Sequence, residues 1–218
     1  RVGPTENLAR LVAATDSVQA MVCASAIGFY GSERGDELLS EDAERGEGFL
    51  ADVVADWERA CDPAREAGKR VVNIRTGIVM SGNSGLLPLL RALFSTGLGG
   101  AFGDGNFWYS WVALDDLTDA YIRAIVDEKL AGPVNGASPG PVLNKDFVSA
   151  LAAELHRPTI LPIPQFGPAL LLGKQGAQEL ALADQRVKPQ VLEDIGHTFR
   201  YPTIQGALAH ELGGENLL

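Results

Sequence analysis

The chain has 218 residues, 46% of them hydrophobic and 21% charged, enough for one sizeable core with room for a smaller second unit. Its 18 basic and 28 acidic residues give a formal charge of −10, spread along the chain, which argues against nucleic acid as a partner. No apolar run approaches the ~20 residues of a membrane span, and nothing has the pattern of a secretion signal. Cys23 and Cys61 lack metal-ligand spacing and read as buried thiols of a reducing compartment without a disulfide, so a cytoplasmic protein is expected.

From Thr5 to Ala14, Leu8, Leu11 and Val12 follow helical spacing, with Thr5 placed as the N-cap. The run over 18–27 is apolar enough for a strand covered on both faces, and it opens into Ser25, Ala26 and a Tyr30-Gly31 turn. Strands of parallel sheets deliver ligand-binding groups at their carboxyl ends, which makes Ser25 and Tyr30 candidates for a cleft. Ser32 to Gly48 is polar, acidic and punctuated by glycine, and reads as a long loop. A helix is expected from about Gly48 to Ala67, with Phe49, Val53, Trp57 and Cys61 as a core-packing stripe.

Lys69 to Val79 forms a second buried-strand candidate, and a strand-helix-strand crossover is the signature of an α/β fold. Next come a helix over Leu86 to Phe94, a covering loop from Thr96 to Asn106 with five glycines, and the aromatic cluster Phe107, Trp108, Tyr109 and Trp111. A helix capped by Asp115 or Asp116 runs to about Glu128, Gly132 to Ala137 is a short strand, and Asn144 to Leu155 a helix. Beyond His156 the prolines at 158, 162, 164 and 168 mark a change of texture, with small helices expected at 168–173, 175–183 and 203–212. The expected organisation is therefore a main unit over 1–155 and a small substrate-side unit over 156–218.

Gly97, Gly99 and Gly103 have the spacing of a phosphate-binding turn, but a helix precedes them and no helix follows, so they read as part of the covering loop. His156, His197 and His210 have no partners at ligand spacing, and no metal site is expected. Ser25 and Tyr30 are the residues able to bond a carbonyl or alcohol and help move a proton, given a nearby cation to lower the phenol's pKa. Spacing alone favours the plainer reading, in which Ser25 satisfies backbone groups and Tyr30 packs over the loop.

Taken in order, Cys23-Ala24-Ser25-Ala26-Ile27-Gly28-Phe29-Tyr30-Gly31, Arg75-Thr76-Gly77-Ile78-Val79, Ser110-Trp111-Val112-Ala113-Leu114-Asp115-Asp116-Leu117 and Gly132-Pro133-Val134-Asn135 resemble the landmarks of extended short-chain dehydrogenase/reductases. Within that group they are similar to the poorly characterised epimerase branch of the NAD-dependent epimerase/dehydratase family, down to the tail Arg186-Val187-Lys188-Pro189 and Phe199-Arg200-Tyr201-Pro202-Thr203. The resemblance implies an α/β, Rossmann-like doubly wound parallel sheet, NAD or NADP as cofactor, and a nucleotide-sugar or related carbonyl or alcohol substrate. It casts Ser25 as the active-site hydroxyl, with Ala26 competing for the place, and Tyr30 as its companion. Thr76, Gly77, Ile78 and Val79 are expected along the nicotinamide, and Trp108, Ser110 and Trp111 around the substrate.

Two departures accompany the resemblance. The family's Tyr-x-x-x-Lys falls near Phe49, where Phe49-Leu50-Ala51-Asp52-Val53-Val54 has neither phenol nor ammonium, and Tyr30 with Arg34 is only a formal echo in a loop. The family's opening strand, glycine turn and helix precede the part that this chain resembles, its C-terminal two-thirds. Two functions follow as expectations: an NAD(P)-linked epimerase or oxidoreductase, or a non-catalytic binding or assembly module. The expected partners are a small-molecule substrate and a second copy, or another strand, across an exposed sheet edge; neither nucleic acid nor a membrane is expected.

Overall fold

In the computed structural model, which describes residues 1–97, 99–158 and 183–213, α1 (Val2–Ala13) leads into β1 (Ala20–Ala26), a 3-10 turn over Ile27–Tyr30, and β2 (Glu33–Leu39). Helices α2 (Phe49–Arg59) and α3 (Asp62–Glu66) return the chain to β3 (Arg70–Thr76) and β4 (Ile78–Met80). Then come α4 (Leu86–Ser95), β5 (Trp108–Tyr109), β6 (Trp111–Ala113), α5 (Leu114–Val126), β7 (Gly132–Gly136), β8 (Val142–Leu143) and α6 (Asn144–Glu154). The described remainder holds β9 (Asp184–Val187), α7 (Gln190–Asp194) and α8 (Ile204–Glu211).

The central sheet has three parallel strands in the order β1-β3-β7, in register from Ala20 opposite Arg70 to Ala26 opposite Thr76. Parallel neighbours need a crossover, and α2 with α3 supplies it between β1 and β3. Val71 to Arg75 are buried without interruption, because helices cover both faces. On one face α5 turns Asp116, Leu117, Ala120 and Ala124 inward at helical spacing. On the other, Ala9, Val12, Cys61 and Ala64 pack against Met21 and Val71. This is the doubly wound arrangement expected of the α/β pattern.

Several local expectations give way to tertiary forces. The Ser32 to Gly48 segment contains β2, which pairs in parallel with β9, far away in sequence. Only Leu39 of β2 is buried, so its strand character comes from the backbone ladder and not from apolar alternation. Thr5 lies inside α1, where its hydroxyl accepts a hydrogen bond from Trp57 Nε1 at 3.0 Å. The helix expected over 48–67 is broken in two, with Pro63 in the first turn of α3. The strand expected over 69–79 breaks at Gly77, where a Cβ would lie 2.8 Å from the Ser110 carbonyl oxygen. There the chain leaves β7 and takes β6 as partner.

Asp115 and Asp116 do not cap α5, whose N-cap is Ala113. Asp116, fully buried, instead accepts the backbone N–H groups of Arg200 at 2.6 Å and Tyr201 at 3.0 Å, fastening the tail beneath the helix. The segment from Thr96 to Asn106 is tied to the start of α6, with Asn144 Oδ1 accepting from Phe102 N at 3.0 Å and Gly105 O from Lys145 N at 3.1 Å. The helices expected at 168–173 and 175–183 fall outside the described residues, apart from Ala183. Among the described residues no helix is long and apolar enough to cross a membrane.

Asp116→Ala leaves two part-buried N–H groups without their acceptor and is expected to lower unfolding stability by about 1–3 kcal/mol. Asp119→Ala, which removes an exposed ion pair to Arg200, is expected to cost under about 1 kcal/mol. Urea unfolding of the two variants compares them directly, and equal losses would contradict the anchoring role of Asp116.

Candidate active-site cleft

The carboxyl ends of β1 and β3 open into a cleft of about 320 Å³. Its floor is Ser25, Ala26, Ile27 and Gly28 from the end of β1 and Thr76, Gly77 and Ile78 from the end of β3. Leu50, Val53, Val54 and Trp57 of α2 form one wall, Trp108, Ser110 and Gln185 another, and Arg1 stands at the rim. The apolar helix face reflects the sequence: Leu50, Val54 and Trp57 recur at helical spacing, so the residues that drive α2 onto the sheet also line the cavity. The stripe read as core packing thus does both jobs, with Phe49 exposed, Val53 and Trp57 at the cleft and Cys61 buried.

Six of the expected site residues meet here: Ser25, Thr76, Gly77, Ile78, Trp108 and Ser110. Tyr30, Val79 and Trp111 are placed elsewhere. Tyr30 is fully buried; its phenol donates to Asn135 Oδ1 at 2.7 Å and accepts from Arg75 Nη1 at 3.1 Å. Burial pushes its pKa above the ordinary value despite the Arg75 charge, the reverse of what proton transfer near neutral pH requires. Val79 packs against the cluster of Val72, Ile74 and Val112. Trp111 is fully buried with Met80 and Leu87, and its indole donates to the Gly140 carbonyl at 2.8 Å.

Behind the floor lies a polar network that sequence reading did not identify. Arg75, only 4% exposed, donates from Nε to Glu58 Oε1 at 2.9 Å and from Nη2 to Glu58 Oε2 at 3.0 Å. Its Nη1 reaches Tyr30 Oη and, at 3.3 Å, the Glu41 carbonyl, while its guanidinium lies 3.5 Å from the Phe29 ring centre. Ser25 Oγ donates to Glu58 Oε1 at 2.6 Å, which joins the cleft to this network. The available signal was Arg75 itself, a cation inside a buried strand, which requires a counter-charge from a neighbouring element.

Glu41 is buried on the far side of the network. Its Oε1 accepts from Asn135 N at 2.9 Å and Val191 N at 3.2 Å, and its Oε2 has no partner. Burial raises its pKa against the pull of these N–H groups. Cys23 and Cys61, read from sequence as buried thiols, lie in one apolar cluster, where Cys23 Sγ donates to the Ala24 carbonyl at 3.4 Å and Cys61 Sγ accepts from Asn73 Nδ2 at 3.5 Å. No group of three or more metal-ligating side chains occurs among the described residues.

A family described as a domain of unknown function, DUF1731, matches residues 163–211. An epimerase family protein of Mycobacterium leprae is 40% identical over 210 residues, which cover 96% of this chain and 67% of the relative. The crystal structure titled nucleoside-diphosphate sugar epimerase from Corynebacterium glutamicum is 51% identical, with a TM-score of 0.84 over the whole of this chain; the match spans 42% of that longer chain. Human epimerase family protein SDR39U1, solved with NADPH, superposes with a TM-score of 0.89 at 25% identity, covering 97% of this chain and 71% of its own.

The buried carboxyl of Glu41 sets a pH dependence. With its folded pKa raised above the ordinary 4.5, the folded state holds this proton more tightly than the unfolded state does. The stabilisation is complete below the unfolded pKa and is lost as pH rises through the folded one. The wild type is therefore expected to gain stability relative to Glu41→Gln as pH falls from 7 towards 4.5, measured by urea midpoints across that range. A difference between the two that does not change with pH would contradict the assignment.

Proposed function

Because the chain belongs to the epimerase family of extended short-chain dehydrogenase/reductases, we propose that its cleft is the nicotinamide and substrate end of an NAD(P)-dependent epimerase or oxidoreductase site. The substrate is a nucleotide-sugar or a related carbonyl or alcohol compound. The supporting observation is the convergence of Ser25, Thr76, Gly77, Ile78, Trp108 and Ser110 on one cavity at the carboxyl edge of a parallel sheet. When bound, the cofactor supplies a hydride donor or acceptor.

The fit of the residues to the cofactor is that of one end. Ile27, Leu50, Val54 and Ile78 line the cleft with apolar side chains that suit a nicotinamide ring, and Ser25 and Thr76 add hydroxyl groups to the lining. Among the described residues no strand passes through a glycine-rich turn into a helix at this cleft, so no cradle for the diphosphate is assigned here. Ser25 is the hydroxyl that contacts the reacting oxygen, and Trp108 and Ser110 border the substrate. A cytoplasmic location fits the reducing chemistry of two unpaired thiols.

A second reading, a binding or assembly module without catalysis, is favoured by α2. Leu50, Val53 and Val54 face the cleft where the family resemblance calls for a phenol and an ammonium. Titration with reduced nicotinamide mononucleotide and with NADPH separates the cases. Quenching of the emission of Trp57 and Trp108, which line the cleft, is expected for either compound. Quenching with no turnover of any sugar nucleotide or carbonyl tested would favour the module, and no response to either compound would remove the cofactor reading.

As for partners, we propose that a second copy pairs along the β1 edge of the described sheet. β1 ends the described sheet, and the helices over its two faces carry exposed Leu8 and Leu11 on α1 and Ile122 and Ile125 on α5. Sedimentation is expected to show a concentration-dependent dimer that Ala24→Pro weakens, because proline removes a ladder N–H from an edge strand. A monomer at all concentrations would count against this pairing.

A further inference from the structure

We infer that Glu58 is a positioning residue that holds Ser25 as a hydrogen-bond acceptor towards the cleft, so that the site selects ligands presenting a hydroxyl or N–H there over ligands presenting a carbonyl oxygen. The inference rests on the reading of the cleft as the ligand site and specifies which chemistry that site takes.

A serine hydroxyl has one proton and two lone pairs. Between Ser25 Oγ and Glu58 Oε1, 2.6 Å apart, that proton belongs to the serine, since Glu58 already accepts from Arg75 at both oxygens. The distance is that of a charge-assisted O–H···O contact. Arg75 cannot swing away to release the carboxylate: Tyr30 Oη and the Glu41 carbonyl hold its third nitrogen, and the Phe29 ring lies against its face. Glu58 does not line the cleft; it acts on a ligand only through Ser25. The serine rotor is thus fixed with its proton turned inward and its lone pairs left for the cavity.

The rest of the wall has the same polarity. Thr76 Oγ1 donates to the Ile74 carbonyl at 3.2 Å, and Ser110 Oγ to the Gln185 carbonyl at 2.7 Å. The indoles of Trp57 and Trp108 donate to Thr5 Oγ1 and Asp36 Oδ1, and the Gln185 amide donates to the Ile27 and Gly31 carbonyls. Apart from Arg1 at the rim, each polar side chain at the cleft has a side-chain proton committed to a protein acceptor. A ligand oxygen that can only accept finds no side-chain donor at the floor, whereas a hydroxyl finds the Ser25 oxygen as acceptor; Ser110 Oγ is already occupied by the Val187 N–H at 2.8 Å. The alcohol form of a substrate pair is the one this cavity binds.

The experiment uses cyclohexanol and cyclohexanone, two probes of nearly equal shape of which only the alcohol can donate. Each is titrated into the 15N-labelled protein while the indole N–H signals are followed. Trp57 and Trp108 report the cleft, and Trp111, bonded to Gly140 in the core, serves as the internal reference. The wild type is expected to bind the alcohol about three- to tenfold more tightly, the ratio one net neutral hydrogen bond supplies. In Glu58→Ala the acceptor of the Ser25 proton is gone and the hydroxyl is free to turn that proton into the cleft, so the preference is expected to shrink or vanish. Ser25→Ala, a milder change, is expected to remove the serine's share of the preference even if Glu58→Ala folds poorly.

Equal or better binding of the ketone by the wild type, or an unchanged preference in either variant, would overturn the inference. If this happened while reduced nicotinamide mononucleotide still shifted Trp57 and Trp108, the cleft reading would survive alone. If neither the probes nor the nucleotide moved those signals, both would fall together.

Discussion

A guanidinium inside the central sheet is the constraint around which this molecule is arranged. Arg75 sits on the middle strand, nearly inaccessible to water, where an uncompensated charge costs several kcal/mol or more. Compensation comes from four directions: the Glu58 carboxylate on α2, the Tyr30 phenol after β1, the Glu41 carbonyl beyond β2, and the face of Phe29. Each contact ties a different segment to β3. Tyr30 extends the chain of bonds to Asn135 on β7, whose amide donates to the carbonyls of Leu39 and Lys188. A single charge thereby registers all three central strands, and the β2 and β9 segments as well, against one another.

That arrangement also determines what reaches the cleft. Because Arg75 needs a carboxylate close by, α2 must be held with Glu58 at the sheet, and the same docking presents Leu50, Val54 and Trp57 to the cavity. The polar groups then fall behind the floor and the apolar groups in front of it. Burial of Trp57 and Val54 contributes roughly 1.5–3 kcal/mol per side chain, so the wall of the cavity is also part of what keeps α2 in place. Ser25 is the one floor residue whose side chain belongs to both sides.

The parts of this architecture that could be read from sequence are those where local pattern and tertiary demand agree. The runs over 18–27, 69–79 and 132–137 became β1, β3 with β4, and β7, but full cover on both faces holds for β3, where Val71 to Arg75 are buried, whereas in β1 only Met21 and Ser25 are. Ser25 was singled out because the end of such a strand opens into a crevice, and Thr76 through Ile78 because of the family resemblance; the structure brings them to one cleft. β2 was not legible: Glu33 to Leu39 offers no alternation, and its pairing is decided by Asp184 to Val187 across most of the chain. Tyr30 and Trp111 were misplaced for a related reason. An aromatic residue beside a strand end can turn into a cavity or into the core, and their hydrogen bonds to Asn135 and Gly140 lie too far along the chain for spacing to reveal.

Glu58 went unnoticed because a glutamate in a helix is most often a solvated charge. Its position relative to the cleft carries the deeper point. Val54 and Glu58 are one turn apart on α2, so both look towards the sheet, but Val54 does so at the cavity and Glu58 behind it. Moving an ionisable group by one turn takes it out of contact with a ligand while leaving it one hydrogen bond away. In that place its charge is absorbed by Arg75, and its influence reaches the cavity only as the direction of the Ser25 proton. The cleft is therefore uncharged on its helix wall but not without electrostatic character, since a fixed hydroxyl dipole in a low-dielectric cavity discriminates donors from acceptors as a mobile one cannot.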